Sequence, residues 1–523
     1  MSSAPRLRPA LLSSLRGGYG RRDFLSDLAA GLLVGVVALP LSMGLAIASG
    51  VGPEQGLYTA IAGGLLVSLL GGSRVQVAGP AGAFVGLCAA AVLGHGYAGL
   101  AIATLLAGLW LLLFWALRLG RFIGYIPYPV VVGFTTGIAV IIASTQLFTA
   151  LGLPDPDHAI PGTPARLGYA ALHLGECHGA SLVLAAATVA IILFLRRISL
   201  RIPGALVAVV AGALVVALAG LPVETLGSKF PRIGGPLPVP HLPLSDGPSA
   251  WWDQIHPLLG LSLGIALLVA VESLLCAVVA DGMTGDRHDP DTELAAQGIA
   301  NLASACCLGL PVTGVIARTS TNARAGARSP VAGIIHALTV LAALVFLSPW
   351  VKLVPLACLA GVLLSVCWTM AELPVWPRLL RAGGSDGFLL AAACAVTVLV
   401  DLVWAVGLGV ALAFVSLWVR QRRLPLPESG ELTVACGTDA LIEARFAGHL
   451  HFGRAAEPRR IEALLASATG LRLDFSGASS LDASYAQSIR ELIALARSRG
   501  MVVAVEGQSG RVARDLARFH ATA

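Results

Sequence analysis

Glu272 lies in the middle of LSLGIALLVAVESLLCAVVADGMTG, an apolar run of helix length. An ionised carboxylate there costs kilocalories unless it is protonated, paired or reached by a water-filled cavity. A side chain so placed reads as a group that loads and releases one proton. Further along, Gly309, Pro311 and Gly314 break the next apolar run, and a helix-like segment restarts at Thr313 with small residues and Arg318. A helix that starts inside a membrane directs unpaired N–H groups and the positive end of its dipole into the protein, which suits an anion. The chemistry indicated is reversible capture of a small anion beside a protonatable carboxylate.

An earlier break has the same form. Arg74–Ala78 alternates like a strand, Gly79 and Pro80 interrupt it, and the run from Ala81 is too short to cross about 30 Å of hydrocarbon alone. Paired interrupted segments in the two halves of a hydrophobic chain point to an inverted-repeat carrier with a midplane site. Pro40, in ALPLSMGLA of the first apolar run, predicts a bend that lines the same cavity.

The elements that must position these residues are membrane spans. Of 523 residues, 56% are hydrophobic and 12% charged, with a mean hydropathy of +0.82, which is too apolar for an ordinary soluble enzyme. No Walker loop, GxSxG or HExxH is present, so an enzyme is not expected. Fourteen spans are predicted, the first from about Phe24 to Ser49 and the last near 402–419. Arg74, Arg118, Arg121, Arg196, Arg197, Arg201, Arg287, Arg324, Arg328, Arg378 and Arg381 follow even-numbered spans, against Arg166, Lys229, Arg232 and Lys352 on the other side. This bias predicts an inner (plasma) membrane protein with both termini cytoplasmic. The net charge of +6 arises from these span-flanking arginines, so nucleic acid is not expected as a partner. Nine cysteines, mostly in apolar runs and without a CxxC pair, indicate neither a disulfide framework nor zinc, and no cofactor is expected.

Three regions result: a basic segment 1–23, a membrane domain 24–420 and a soluble α/β domain 431–523. In the last, 440–452, 470–475 and 501–505 pattern as strands, and 455–467, 484–499 and 509–519 as helices.

The runs GLYTAIAGGLLVSLLGGSRVQVAGPAGAF at 56–84, LGSKF at 226–230, VESLLCAVVADGMTG at 271–285 and the closing DFSGASSLDASYAQSIREL resemble the sulfate permease family with its C-terminal STAS domain. Around 271–285 the wording is most similar to the bacterial C4-dicarboxylate transporters. The resemblance implies an all-α membrane domain of fourteen helices in a seven-plus-seven inverted repeat, divided into core and gate domains, with two half-helices and a small α/β STAS domain, working as a homodimer in the lipid bilayer. It also implies an anion site at Gly79, Pro80, Ala81 and Gly82 on one half-helix and Gly314, Val315, Ile316 and Ala317 on the other, with Arg318 just beyond. In sodium-coupled bicarbonate members the Glu272 position is an aspartate, and a threonine one turn later contributes to the sodium site. Here that residue is Cys276, a poor ligand for a hard cation, which points to a proton as the coupling ion. Leu41 stands where many sulfate-type members carry glutamine, which makes the pocket more apolar.

The leading expectation is proton-coupled uptake of C4-dicarboxylates such as succinate and fumarate. The alternatives are a sulfate or bicarbonate carrier and, in another class, a passive anion channel or a sensor. Arg318 reads either as pocket charge or as a positive-inside anchor. His336 reads as a satisfied core histidine, and Asp281, Asp286 and Asp289 with Arg287 and His288 as a solvated loop. Asp401 is assigned to an interface. Ser484 falls where related anti-sigma-factor antagonists carry a phosphorylated serine; a helix cap is the reading preferred for it.

Overall fold

The computed structural model describes residues 7–120, 128–154, 160, 162–199, 202–231, 233, 238–244, 251–382, 385–399, 433–436, 441–450, 458, 461, 464, 465, 468–498, 500–507 and 510–518. Asp401, the predicted span 402–419 and most of the predicted helix 455–467 lie outside them. The chain divides into two compact units, Met1–Ile123 with Ile138–Ala371, and Gly124–Gly137 with Glu372–Ala523.

The first unit is helical. Among the described residues of the whole chain, six helices are long and apolar enough to cross a membrane, and Gly204–Ala219, Val331–Phe346 and Asp386–Leu399 are shorter apolar helices. The helix Arg21–Ala48 runs unbroken through Pro40. It meets Val331–Phe346 closely because it offers glycine at the contact: a Cβ on Gly31 would strike the Ala332 carbonyl oxygen at 2.5 Å, and one on Gly35 would strike Thr339 at 2.6 Å. Small residues permit this approach where lipid supplies no hydrophobic drive between helices.

Both predicted interruptions are present, and they meet. Ala78–Gly79 (β1) and Thr313–Gly314 (β2) pair antiparallel, with Ala78 opposite Gly314 and Gly79 opposite Thr313. After β1 a short 3-10 turn, Gly82–Phe84, leads into Val85–Ala116, which is itself broken at Gly96 (φ 66°, ψ −176°). A half-helix therefore ends at Gly96 and a second helix continues to Ala116. After β2 the counterpart is Ile316–Arg324, which starts three residues later than Thr313, because Thr313 and Gly314 are spent on the strand pair.

Backbone freed by these breaks is satisfied by side chains, as a water-free interior requires. Asn301 donates to the Val312 carbonyl and accepts from the Val312 N–H, both at 2.9 Å. Leu310 N–H donates to Thr59 Oγ1 (2.6 Å), and Ser304 Oγ donates to the Leu310 carbonyl (2.7 Å).

At one end of this unit Asp23, Arg74, Asp286 and Arg328 line a cleft of about 560 Å³, joined by the pairs Arg74–Asp286 (3.0 Å) and Arg328–Asp23 (2.7 Å). The buried Asp27 carboxylate below accepts from Tyr19 Oη (2.9 Å), from Ser329 Oγ and from the backbone N–H of Arg328 (2.7 Å). Burial and this contact push the Tyr19 phenol up to about 12. Elsewhere the Lys229 and Lys352 loops meet, with Gly227 N–H donating to the Lys352 carbonyl (2.8 Å).

In the second unit a four-stranded sheet runs Thr433–Cys436 (β3), Leu441–Leu450 (β4), Gly470–Leu481 (β5), Val502–Glu506 (β6), in that order. β3 is antiparallel to β4, and the other pairs are parallel. β3 is an addition to the predicted strands. Phe446 stacks on Phe475 (4.7 Å between centroids), with Tyr485 edge-on, and Val132, Leu379 and Leu390 share this core. Asp474 is held below the usual carboxylate range by the Ser476 backbone N–H (2.9 Å).

Candidate functional site

The two half-helices begin at Gly82 and Ile316, and each start leaves first-turn N–H groups without intrahelical acceptors. Thr319 N–H bonding to the Val315 carbonyl (2.9 Å) closes the first turn of the second one. Ile316 and Ala317 are exposed, Val315 and Gly82 are partly so, and Pro80 and Ala81 are buried. Some N–H groups are thus approachable at both starts.

Arg318 turns the other way. Its side chain is 2% exposed, Nη2 donates to Ser42 Oγ at 2.9 Å, and Nε and Nη1 have no partner. No carboxylate pairs with it among the described residues. The guanidinium lies against Gly79, where a Cβ would collide with Nη1. Of the two readings of Arg318, the surface anchor is therefore ruled out by burial. Gly79 is required for space at the arginine, and Gly314 for space at the Gln76 amide, which its Cβ would strike; Gly82 faces Ile142 Cδ1, which a Cβ would meet at 2.6 Å. These three glycines leave room for neighbouring side chains, whereas the resemblance had suggested room for an anion.

Pro40 and Leu41 are buried in their helix, but the contact to Arg318 comes from the next residue, Ser42. Ser42 was missed; its signal is a lone hydroxyl after the proline in an apolar run.

Glu272, on Leu259–Thr284, is half-buried and makes no hydrogen bond among the described residues. One turn on, the Cys276 thiol donates to Thr319 Oγ1 (3.1 Å), which also accepts from the Val77 N–H (3.0 Å). Both lone pairs of that hydroxyl are thereby occupied, leaving none for a cation. Asn322 Nδ2 donates to the Val75 carbonyl (2.9 Å), so the second half-helix holds the strand leading to the first. Thr319, Asn322, Asn301 and Thr59 were not singled out from the sequence, since single polar residues in apolar helices carry no periodic signal.

His336 is buried, and among the described residues neither ring nitrogen has a partner at hydrogen-bonding geometry, where a satisfied core histidine was expected. The aspartate loop is more ordered than expected: His288 Nδ1 meets Asp281 Oδ2 at 2.6 Å, Asp286 pairs with Arg74, and Asp289 caps Pro290–Cys306 through Thr292 N–H (3.0 Å). In the second unit the cap of Ala483–Ser498 is Asp482, which accepts from Tyr485 N–H (2.9 Å). Ser484 instead accepts from the Tyr128 N–H (3.0 Å), correcting the cap assignment.

Comparison with known proteins bears on the family and the fold. Residues 24–393 match the model of the sulfate permease family. The chain is 42% identical over 400 residues to the putative sulfate transporter YvdB of Bacillus subtilis, covering 76% of this chain and 74% of that one. The solved transmembrane domain of a cyanobacterium bicarbonate transporter, BicA, is 30% identical, with a TM-score of 0.65 over 74% of this chain and 98% of that one. The overall structure of SLC26A9 shares the fold at 18% identity, with a TM-score of 0.68 over 98% of this chain and 88% of that one.

Proposed function

This chain belongs to the sulfate permease family, and on that premise we propose that it is a secondary active transporter of sulfate or a similarly small inorganic oxyanion. That it is a multi-pass membrane anion transporter follows from the family and its apolar helices; the substrate, the coupling and the assembly are our reading. The observation that carries it is Arg318, a buried guanidinium bonded to a neutral hydroxyl and left with unused donors next to a half-helix start. A buried charge without a counter-ion is costly. An oxyanion accepting from the guanidinium would remove that cost, and arginine's planar donor set suits a partner with several oxygens.

Sulfate and bicarbonate are the substrates in the relatives' names, so the four-carbon dicarboxylate expectation gives way to its alternative. Bicarbonate is the second reading, supported by the 30% identity to the cyanobacterial transporter. Coupling is assigned to a proton at Glu272, supported by its freedom from hydrogen bonds and by the occupied Thr319 hydroxyl. An inverted repeat is supported by the antiparallel meeting of the two breaks. A STAS assignment is supported by the mixed sheet and by the closing motif. We retain a homodimer in the cytoplasmic membrane, with both termini inside, as part of the proposal.

The deciding experiment is uptake into proteoliposomes with sulfate, bicarbonate, succinate and fumarate offered separately under imposed proton or sodium gradients. Concentrative sulfate uptake that persists without sodium is expected. Uptake of the diacids alone, or equilibration without accumulation, would overturn the proposal.

A further inference from the structure

His336 stands in Val331–Phe346, a helix with no other ionisable side chain. Its imidazole is 0% exposed, and among the described residues neither ring nitrogen has a hydrogen-bond partner. Buried polar atoms are rarely left so, and each exception marks a place where a proton, a water or an ion can act.

Its surroundings fix where it lies relative to Arg318. A Cβ on Gly64 would meet His336 Nδ1 and the Ala78 carbonyl oxygen, each at 3.3 Å; one on Gly79 would meet Arg318 Nη1 and, at 3.6 Å, Ala60 Cα. Ala60 and Gly64 are one turn apart on Pro53–Leu70, and Ala78 and Gly79 are consecutive in β1. The imidazole and the guanidinium therefore lie against the same helix and the same strand, at neighbouring positions of each. Of the helices packed here, Arg21–Ala48 carries Arg21, Arg22 and Asp23 in its first turn, where Asp23 pairs with Arg328. Pro53–Leu70 carries Glu54 a turn and a half before Ala60, with Tyr58 between them, and Arg21–Ala48 carries Asp27, whose carboxylate is taken up by Tyr19, Arg328 and Ser329.

We propose that His336 is a proton-binding residue whose loading is tied to occupancy of Arg318 by the anion. This rests on the reading of Arg318 given above. With no anion present, a proton on the ring would set two positive charges near one another in a dry interior. An oxyanion at the guanidinium supplies the compensating charge, so anion and proton enter as a pair. By linkage, the proton strengthens anion binding by the same factor by which the anion strengthens proton binding. A divalent anion gains more from the pairing than a monovalent one.

The test uses the purified full chain in weakly buffered detergent solution. Sulfate or nitrate is added, a pH indicator reports protons taken up, and calorimetry reports binding in parallel. Sulfate is expected to bind with net proton uptake, and nitrate with less. His336→Gln is expected to lose that uptake and to bind sulfate about tenfold more weakly at acidic pH, with a flattened pH dependence. Unchanged proton uptake in His336→Gln overturns the inference. Absence of binding of any offered oxyanion to the wild-type chain instead overturns the anion reading beneath it. If His336→Gln fails to fold, Glu272→Gln decides: binding-linked uptake that survives in it supports His336, and uptake abolished in it overturns the assignment.

Discussion

In the proposed function, Arg318 and Glu272 divide the work between a fixed positive charge and a removable negative one. Arg318→Gln keeps a hydrogen-bonding side chain but removes the charge. Hydrogen bonds to charged groups contribute about 1.5–3 kcal/mol, so sulfate affinity is expected to fall by about 10- to 100-fold, as titration calorimetry would register. Arg318→Lys should recover part of the loss, because a point charge replaces the planar donor set without its geometry. Glu272→Gln mimics the shape of the protonated acid and carries no charge in either step. Uptake by the native carrier should rise as external pH falls, since protonation loads the carboxyl from the acidic side; the variant should lose the share of that response carried at residue 272 while still binding sulfate together with the proton at His336. A variant that still responds fully to a proton gradient would remove Glu272 from the coupling.

The elements that hold these residues depend on a few polar side chains spending their hydrogen bonds on interrupted backbone. Asn301 serves both the N–H and the carbonyl of Val312. Asn301→Ala leaves both without that partner, and at about 1–3 kcal/mol for each buried unsatisfied group the first unit should lose at least about 2 kcal/mol, seen as a lower Tm. A Tm unchanged within a degree would mean that water or a shifted loop takes over. The two breaks themselves were legible in the sequence, because glycine and proline within apolar runs leave few conformations that a membrane tolerates. Their pairing as β1 and β2 was not, since Ala78 and Gly314 are far apart in the chain and nothing in either run names the other.

Across the whole molecule, Arg318 and Ser42, the residues proposed to bind the anion, and both half-helix starts belong to the first unit, whereas the C-terminal sheet shares its core with Val132, Leu379 and Leu390 in the second. A chain ending at residue 430 should thus keep sulfate binding in calorimetry while unfolding at lower temperature, because those three side chains lose their cover. Loss of binding with an intact helical spectrum would show that the soluble part supports the site. The segregation of the Lys229 and Lys352 loops from the Arg74 and Arg328 cleft makes a labelling prediction. Lys352→Cys should react with an impermeant maleimide added outside intact cells, and Arg328→Cys only after permeabilisation. By itself the sequence determined the membrane environment, the two interrupted segments and the αβ character of the carboxyl-terminal part, because each follows from local composition and period. Only the tertiary structure decided that Ser42 and not Leu41 meets Arg318, that the Thr319 hydroxyl accepts from Val77 and Cys276, and that His336 packs near the guanidinium with no hydrogen-bond partner among the described residues. Those facts depend on which side chains distant segments bring to one point, and hydrogen-bond occupancy at such a point is set by packing geometry that no single run of residues contains.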